Sequence, residues 1–84
     1  MREDHRQDVR GIALKLLEED AEVWSGDVVD AWPESPYPRR HTAVTFVGHV
    51  LRRMEVDGEL ASRLVPPSEH RGSQLARRYY RRTE

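Results

Sequence analysis

The sequence predicts an α+β fold in which three helices come first and a two-stranded β-hairpin comes last. Apolar residues recur at helical spacing in three segments before Gly58, and after Gly58 the period changes from about 3.6 residues to about 2. Length bounds the reading: 84 residues without a cysteine make one small domain spanning 1–84. Core packing has to hold it, without disulfides or thiolate-bound metal.

The first helix is predicted over about residues 5–19. Val9, Ile12, Ala13, Leu16 and Leu17 fall at i, i+3, i+4, i+7 and i+8, with Asp8, Lys15, Glu18 and Glu19 off that stripe. The second, about 26–32, opens in WSGDVVDAWP. Ser25 is placed as its cap, Asp27 meets the positive end of the helix dipole, Trp24 staples onto Val29, and Trp32 before Pro33 ends it. Three prolines around ESPYPRR mark a connector. The third helix, about 43–57, takes Thr42 as its cap, Val44, Val47, Leu51 and Met54 as its inner stripe, and Gly58 as its stop. Gly48 lies beside the stripe, where a missing side chain lets another helix approach.

LASRLV, about 60–65, alternates as a strand, PPSEHRGS is a polar turn, and QLARRYYRRT, about 74–83, is the second strand. There Leu75, Arg77, Tyr79, Arg81 and Thr83 point one way and Ala76, Arg78, Tyr80 and Arg82 the other. One tyrosine therefore enters the core and the other does not. Three helices followed by a hairpin wing is the order of a winged helix-turn-helix.

A formal net charge of −1 hides an asymmetry: residues 1–38 carry four basic and ten acidic side chains, residues 39–84 ten arginines and five acids. Such halves suggest a basic nucleic-acid-binding surface backed by an acidic one. The N-terminus has no apolar core of a leader, and the longest uncharged apolar stretch, Ala43 to Leu51, is broken by Thr45, Gly48 and His49. Neither a signal peptide nor a membrane span is expected, and the expected location is cytoplasmic.

Opposite the inner stripe of the third helix lie Thr42, Thr45, Phe46, His49, Arg52 and Arg53, with Arg39 and Arg40 just before it. A helix in the major groove needs donors and acceptors for base edges, flanked by cations for phosphates. The bland reading is a solvated polar face, with Phe46 packed against a loop or the hairpin. On the hairpin, Arg63, Arg71, Arg77 and Arg78 form a candidate wing cluster for the DNA backbone. The alternative there is an edge strand charged against aggregation.

The runs LRRMEVDGELASRL and RGSQLARRYYRRT resemble the recognition-helix end and wing of PadR-like winged-helix regulators. Penicillinase-repressor and MarR-type regulators share much of the same Gly and Arg spacing. The resemblance covers about residues 42–83. It implies that Gly58 ends the recognition helix, that Tyr80 is the core-facing strand tyrosine, and that Arg77 and Arg78 flank the wing. Two departures stand beside it. Relatives usually have a Tyr-Pro near the start of the recognition helix, where this sequence has HTAVTF, and they dimerise through C-terminal helices that these 84 residues do not contain. Dimerisation and ligand sensing are therefore not carried over.

His5, His41, His49 and His70 show no metal-ligand spacing, His41 and His49 being about 12 Å apart at helical rise. No catalytic or phosphate-loop motif is present, so no enzyme activity, metal or cofactor is expected. The expected function is sequence-specific binding of double-stranded DNA, as a small transcriptional regulator or a phage- or plasmid-type control protein. Two weak partners through the first helix, at Ile12 and Leu14, would form a homodimer on a repeated site. The alternative is a winged helix for protein–protein contact, docking on a transcription or replication complex through the acidic N-terminal half at Glu18, Glu19, Asp20 and Glu22. A single-stranded or RNA binder has only the Tyr79–Tyr80 pair for stacking.

Overall fold

The computed structural model describes residues 2–70 and 75–83. Three helices, α1 (Arg2–Leu16), α2 (Ser25–Asp30) and α3 (Arg40–Val56), precede an antiparallel pair of strands, β1 (Leu60–Val65) and β2 (Arg77–Arg82), with a 3₁₀ turn at Pro67–Glu69 between them. The expected α+β order and β1 are found as predicted, while every other boundary moves. None of the described helices is long and apolar enough to cross a membrane.

Helix α1 lies three residues earlier than expected. Beyond Leu16 the backbone tightens into i→i−3 bonds, Glu18 N–H to the Lys15 carbonyl and Glu19 N–H to that of Leu16. Glu18, Glu19 and Asp20 would put negative charge at the negative end of the helix dipole, so the α-helix stops before them. Val9, Ala13 and Leu17 are buried, and Ile12, Leu14 and Leu16 pack against the core from its edge.

The cap of α2 is Trp24, not Ser25. Its N–H donates to the Asp27 carboxylate at 3.2 Å, so Asp27 satisfies the helix start from within. Extended backbone is forced at Trp24 because Val23 is already paired: Val23 N–H donates to the Tyr80 carbonyl (2.9 Å) and Tyr80 N–H to that of Val23 (2.7 Å). This single rung adds a third element beside β2, which the sequence reading did not contain. Ser25 becomes the first helical residue, and its hydroxyl faces Gly48, where an added Cβ would lie 3.4 Å from Oγ. The close α2–α3 approach expected at Gly48 is therefore present.

Helix α3 starts at Arg40 with Arg39 as cap, so Thr42 is inside the helix and not its cap. Burial decides this: Ala43 is 1% exposed, and only a helical first turn lays it on the core. The inner stripe rotates accordingly to Ala43, Val47, Val50, Leu51 and Met54, leaving Val44 half-buried. At the other end Gly58, with φ of 87°, closes a Schellman turn in which Glu59 N–H bonds to the Met54 carbonyl and Gly58 N–H to that of Glu55. Arg10 on α1 grips the same turn, donating from both terminal nitrogens to the two oxygens of Glu59 at 2.6 and 2.8 Å.

In the hairpin Leu60 pairs with Arg82, Ser62 with Tyr80 and Val65 with Arg77. Strand β2 is shorter than expected: Gln74 lies outside the described residues, and Leu75 and Ala76 are not in the strand. Pro66 has no N–H to extend the ladder. Leu60 and Tyr80 enter the core, while Tyr79 on the other face is only half-buried. Beyond β2, the Thr83 hydroxyl donates to the Gly58 carbonyl at 2.8 Å, tying the base of the hairpin to the end of α3.

Candidate nucleic-acid interface

The core stripe of α3 fixes which side chains remain outside. Thr42, Thr45, His49, Arg52 and Arg53 are all exposed, and Arg39 and Arg40 flank the N-terminal end, also exposed. Thr45 donates its hydroxyl to the His41 carbonyl at 3.0 Å. Its oxygen keeps lone pairs to accept from outside.

Phe46 departs from this set. Its ring is half-buried and packs among Trp32, stacked at 6.1 Å, Tyr37 at 5.3 Å and His5 at 6.4 Å. It closes the space between α1 and the α2–α3 connector, so unlike its polar neighbours it does not stand free on the outer face of α3. Beside it runs a groove between α1 and α3 of about 710 Å³, with Arg6 and Arg10 on one wall and His49 and Arg53 on the other.

The α3 arginines hold loose partners. Arg40 meets Asp30 at 2.9 Å, Arg52 meets Glu55 at 3.2 Å and Arg53 meets Asp57 at 3.4 Å, all with the arginine side chain more than half exposed. Exposed pairs of this kind contribute about 0.2–1 kcal/mol, so a phosphate can replace the carboxylate.

Glu55 joins the helix to the hairpin. One of its oxygens accepts from Arg52 and the other from the Ser62 hydroxyl at 2.7 Å, and that hydroxyl accepts from Arg78 at 3.0 Å. This relay holds one cation of the helix and one of the hairpin at a set spacing. Burial, and then the charge of Glu55, push the Tyr80 phenol behind it above its usual range.

The other hairpin arginines do not gather with Arg78. Arg63 is clamped by Glu22 through two hydrogen bonds of 2.6 and 2.8 Å, which hold the Glu22 carboxyl below the usual range. Arg77 lies with its guanidinium 3.7 Å from the centroid of a Trp24 ring, and Arg71 is outside the described residues. Arg63 and Arg77 share the strand face of Tyr79, and Arg78 shares that of Tyr80. The three described members of the expected wing cluster are thus split between two faces.

Sequence reasoning missed Glu22 and Trp24 as partners of hairpin arginines. A one-residue bridge leaves no period in the sequence to detect; once Val23 pairs with Tyr80, the extended backbone puts Glu22 and Trp24 together on the opposite face. Trp24 also borders a notch of about 580 Å³ formed with Arg40, His41 and Val44 of α3 and Leu75, Ala76 and Arg77 of the hairpin. No family model matches the chain, and neither do curated proteins or solved structures.

Proposed function

We propose that this domain is a winged helix-turn-helix that binds double-stranded DNA in a sequence-specific way, as a small transcriptional regulator or control protein. Helix α3 is the element offered to the major groove and the β1–β2 hairpin the wing along the backbone. The observation that carries the reading is the outer face of α3, where Thr42, Thr45 and His49 stand exposed between loosely paired arginines at both ends. Hydroxyl and imidazole groups suit base edges, and the flanking guanidinium groups suit phosphates. The rung between Val23 and Tyr80 supports the layout, since it sets the hairpin beside α2 and α3 as one unit.

A single small domain of this kind buries about 600–1,000 Å² on DNA. Two copies on a repeated site would supply the rest of the specificity, with the half-buried Ile12 and Leu14 edge of α1 as the contact between them. Selection from random duplexes tests the reading directly. One enriched motif is expected, with a log–log salt slope of about −3 to −6. No enrichment, with a flat salt response, would remove the DNA reading and leave the acidic residues Glu18, Glu19 and Asp20 as the surface to pursue with protein partners.

A further inference from the structure

We infer that the notch between the start of α3 and the start of β2 seats one sugar–phosphate segment of the bound DNA, with Arg77 as the phosphate ligand and Trp24 as the residue that positions it. This rests on the DNA reading above and adds a particular place to it.

Gly26 has no room for a side chain. A Cβ there would lie 2.1 Å from Cζ2 of Trp24, so the indole lies directly on the first turn of α2, and only glycine leaves it that space. In this pose one ring face lies under Arg77, whose guanidinium sits 3.7 Å from the ring centroid. Cation–π stacking fixes the plane of the guanidinium without using its hydrogen-bond donors. The Nε of Arg77 is buried and has no hydrogen-bond partner, and no ion pair neutralises the group among the described residues. A cation held this way, partly out of water, has its electrostatic demand unmet, unlike Arg63 with its clamp on Glu22.

The notch around it fits a backbone segment. Its cations are Arg40 and Arg77 beside the His41 imidazole, no acid among the described residues lines it, and Trp24, Val44 and Leu75 supply apolar wall. A deoxyribose presents an apolar surface between two phosphates, which matches that alternation. Asp30 engages Arg40 in an exposed pair that a phosphate can displace.

The test uses the duplex selected by the full chain, with one phosphate at a time replaced by an uncharged methylphosphonate. Wild type should lose affinity at several positions. Arg77→Met should bind the unmodified duplex about tenfold more weakly, with a salt slope shallower by about 0.9, one phosphate's share. One position should then become silent in Arg77→Met while remaining costly in Arg82→Met, a control at an exposed strand arginine. Trp24→Leu, which keeps the cation and removes the ring, should weaken binding about threefold or more and blur that same position. Circular dichroism and thermal unfolding show whether each variant is folded, and Trp24→Phe, which retains a ring face, should recover most of the loss. Wild type that binds with a normal salt slope, but whose methylphosphonate profile is unchanged by Arg77→Met, would overturn the seat alone. Failure of wild type to bind any duplex would overturn the DNA reading and the seat together.

Discussion

The outer face of α3 and the outer face of the hairpin both carry arginines, and they hold them in opposite ways. On α3 each arginine makes a single contact to a carboxylate one turn away or at the end of α2. On the hairpin Arg63 is gripped at two points by Glu22, and Arg77 is laid on an indole. Loosely paired cations on flexible stems can adapt to different phosphate positions, whereas anchored ones have already lost their rotamer freedom and present a fixed geometry. The number of arginines in a segment therefore says little about how many are available, because availability is set by what the fold puts next to each.

The largest effect should come from the base of the hairpin. Leu60 is 2% exposed, and Leu60→Ala should cost about 2–5 kcal/mol in urea unfolding, whereas Leu64→Ala on the same strand, 59% exposed, should stay within about 0.5 kcal/mol. Equal costs at the two positions would mean that the hairpin is not keyed to the core and that its anchored arginines have no fixed frame.

Next comes the contrast between reading and holding. Thr45→Ala or His49→Ala should weaken the preferred duplex by about 1–3 kcal/mol and spare random duplexes, while Arg78→Ala should weaken both alike. Competition titrations separate the two patterns, and uniform losses from all three would take base readout away from α3.

At Gly58 the backbone sits at φ 87°, and Gly58→Ala should cost about 1–2 kcal/mol through strain alone, since open space surrounds the missing Cβ. That substitution perturbs the joint between α3 and the hairpin without touching either arginine set. A cost near zero would show that the Schellman turn relaxes freely.

The smallest effect is acid dependence. Glu59 and Glu22 both titrate below their ordinary value of 4.5, chiefly through hydrogen bonds from Arg10 and Arg63. Their contribution to stability is complete above that value and is lost as the pH falls through each lowered folded value. For the Arg10–Glu59 pair, about one-third exposed, it should stay below about 1 kcal/mol. Arg10→Gln should flatten the acid limb of the stability curve, and an unchanged limb would show that the pair is fully screened.

The stripe of α1, Val47, Leu51 and Met54 of α3, and the inward Tyr80 were legible because burial imposes a period on the residues that carry it, whereas Ala43 and Val50 replace Val44 on the buried side of α3. Caps were not. Ser25 and Thr42 have the chemistry of caps, but the rung at Val23 and the burial of Ala43 decided where α2 and α3 begin. One residue of strand has no period to detect, so the third element beside β2 was invisible, and with it the role of Glu22 and Trp24. Phe46 sits at the edge of the stripe, and the rings of Trp32 and Tyr37 settled its direction. On α3 the outer polar face follows from the stripe, while the split of the wing arginines depends on partners some forty to fifty residues away in sequence.

The rung between Val23 and Tyr80 also bears on the order in which the chain folds. Its two residues are 57 positions apart, so closing it costs about 1–2 kcal/mol more chain entropy than closing the hairpin itself. The helices can find one another from local contacts, but the edge of β2 can be zipped to Val23 only once α2, α3 and the hairpin already stand near their final places. This predicts a late step on the folding path: substitutions at Val23 should speed unfolding and leave the folding rate nearly unchanged, while those at Val47 and Leu51 slow folding. During synthesis Val23 has no strand to pair with until β2 has left the ribosome, and over that interval it remains uncovered and available to a chaperone.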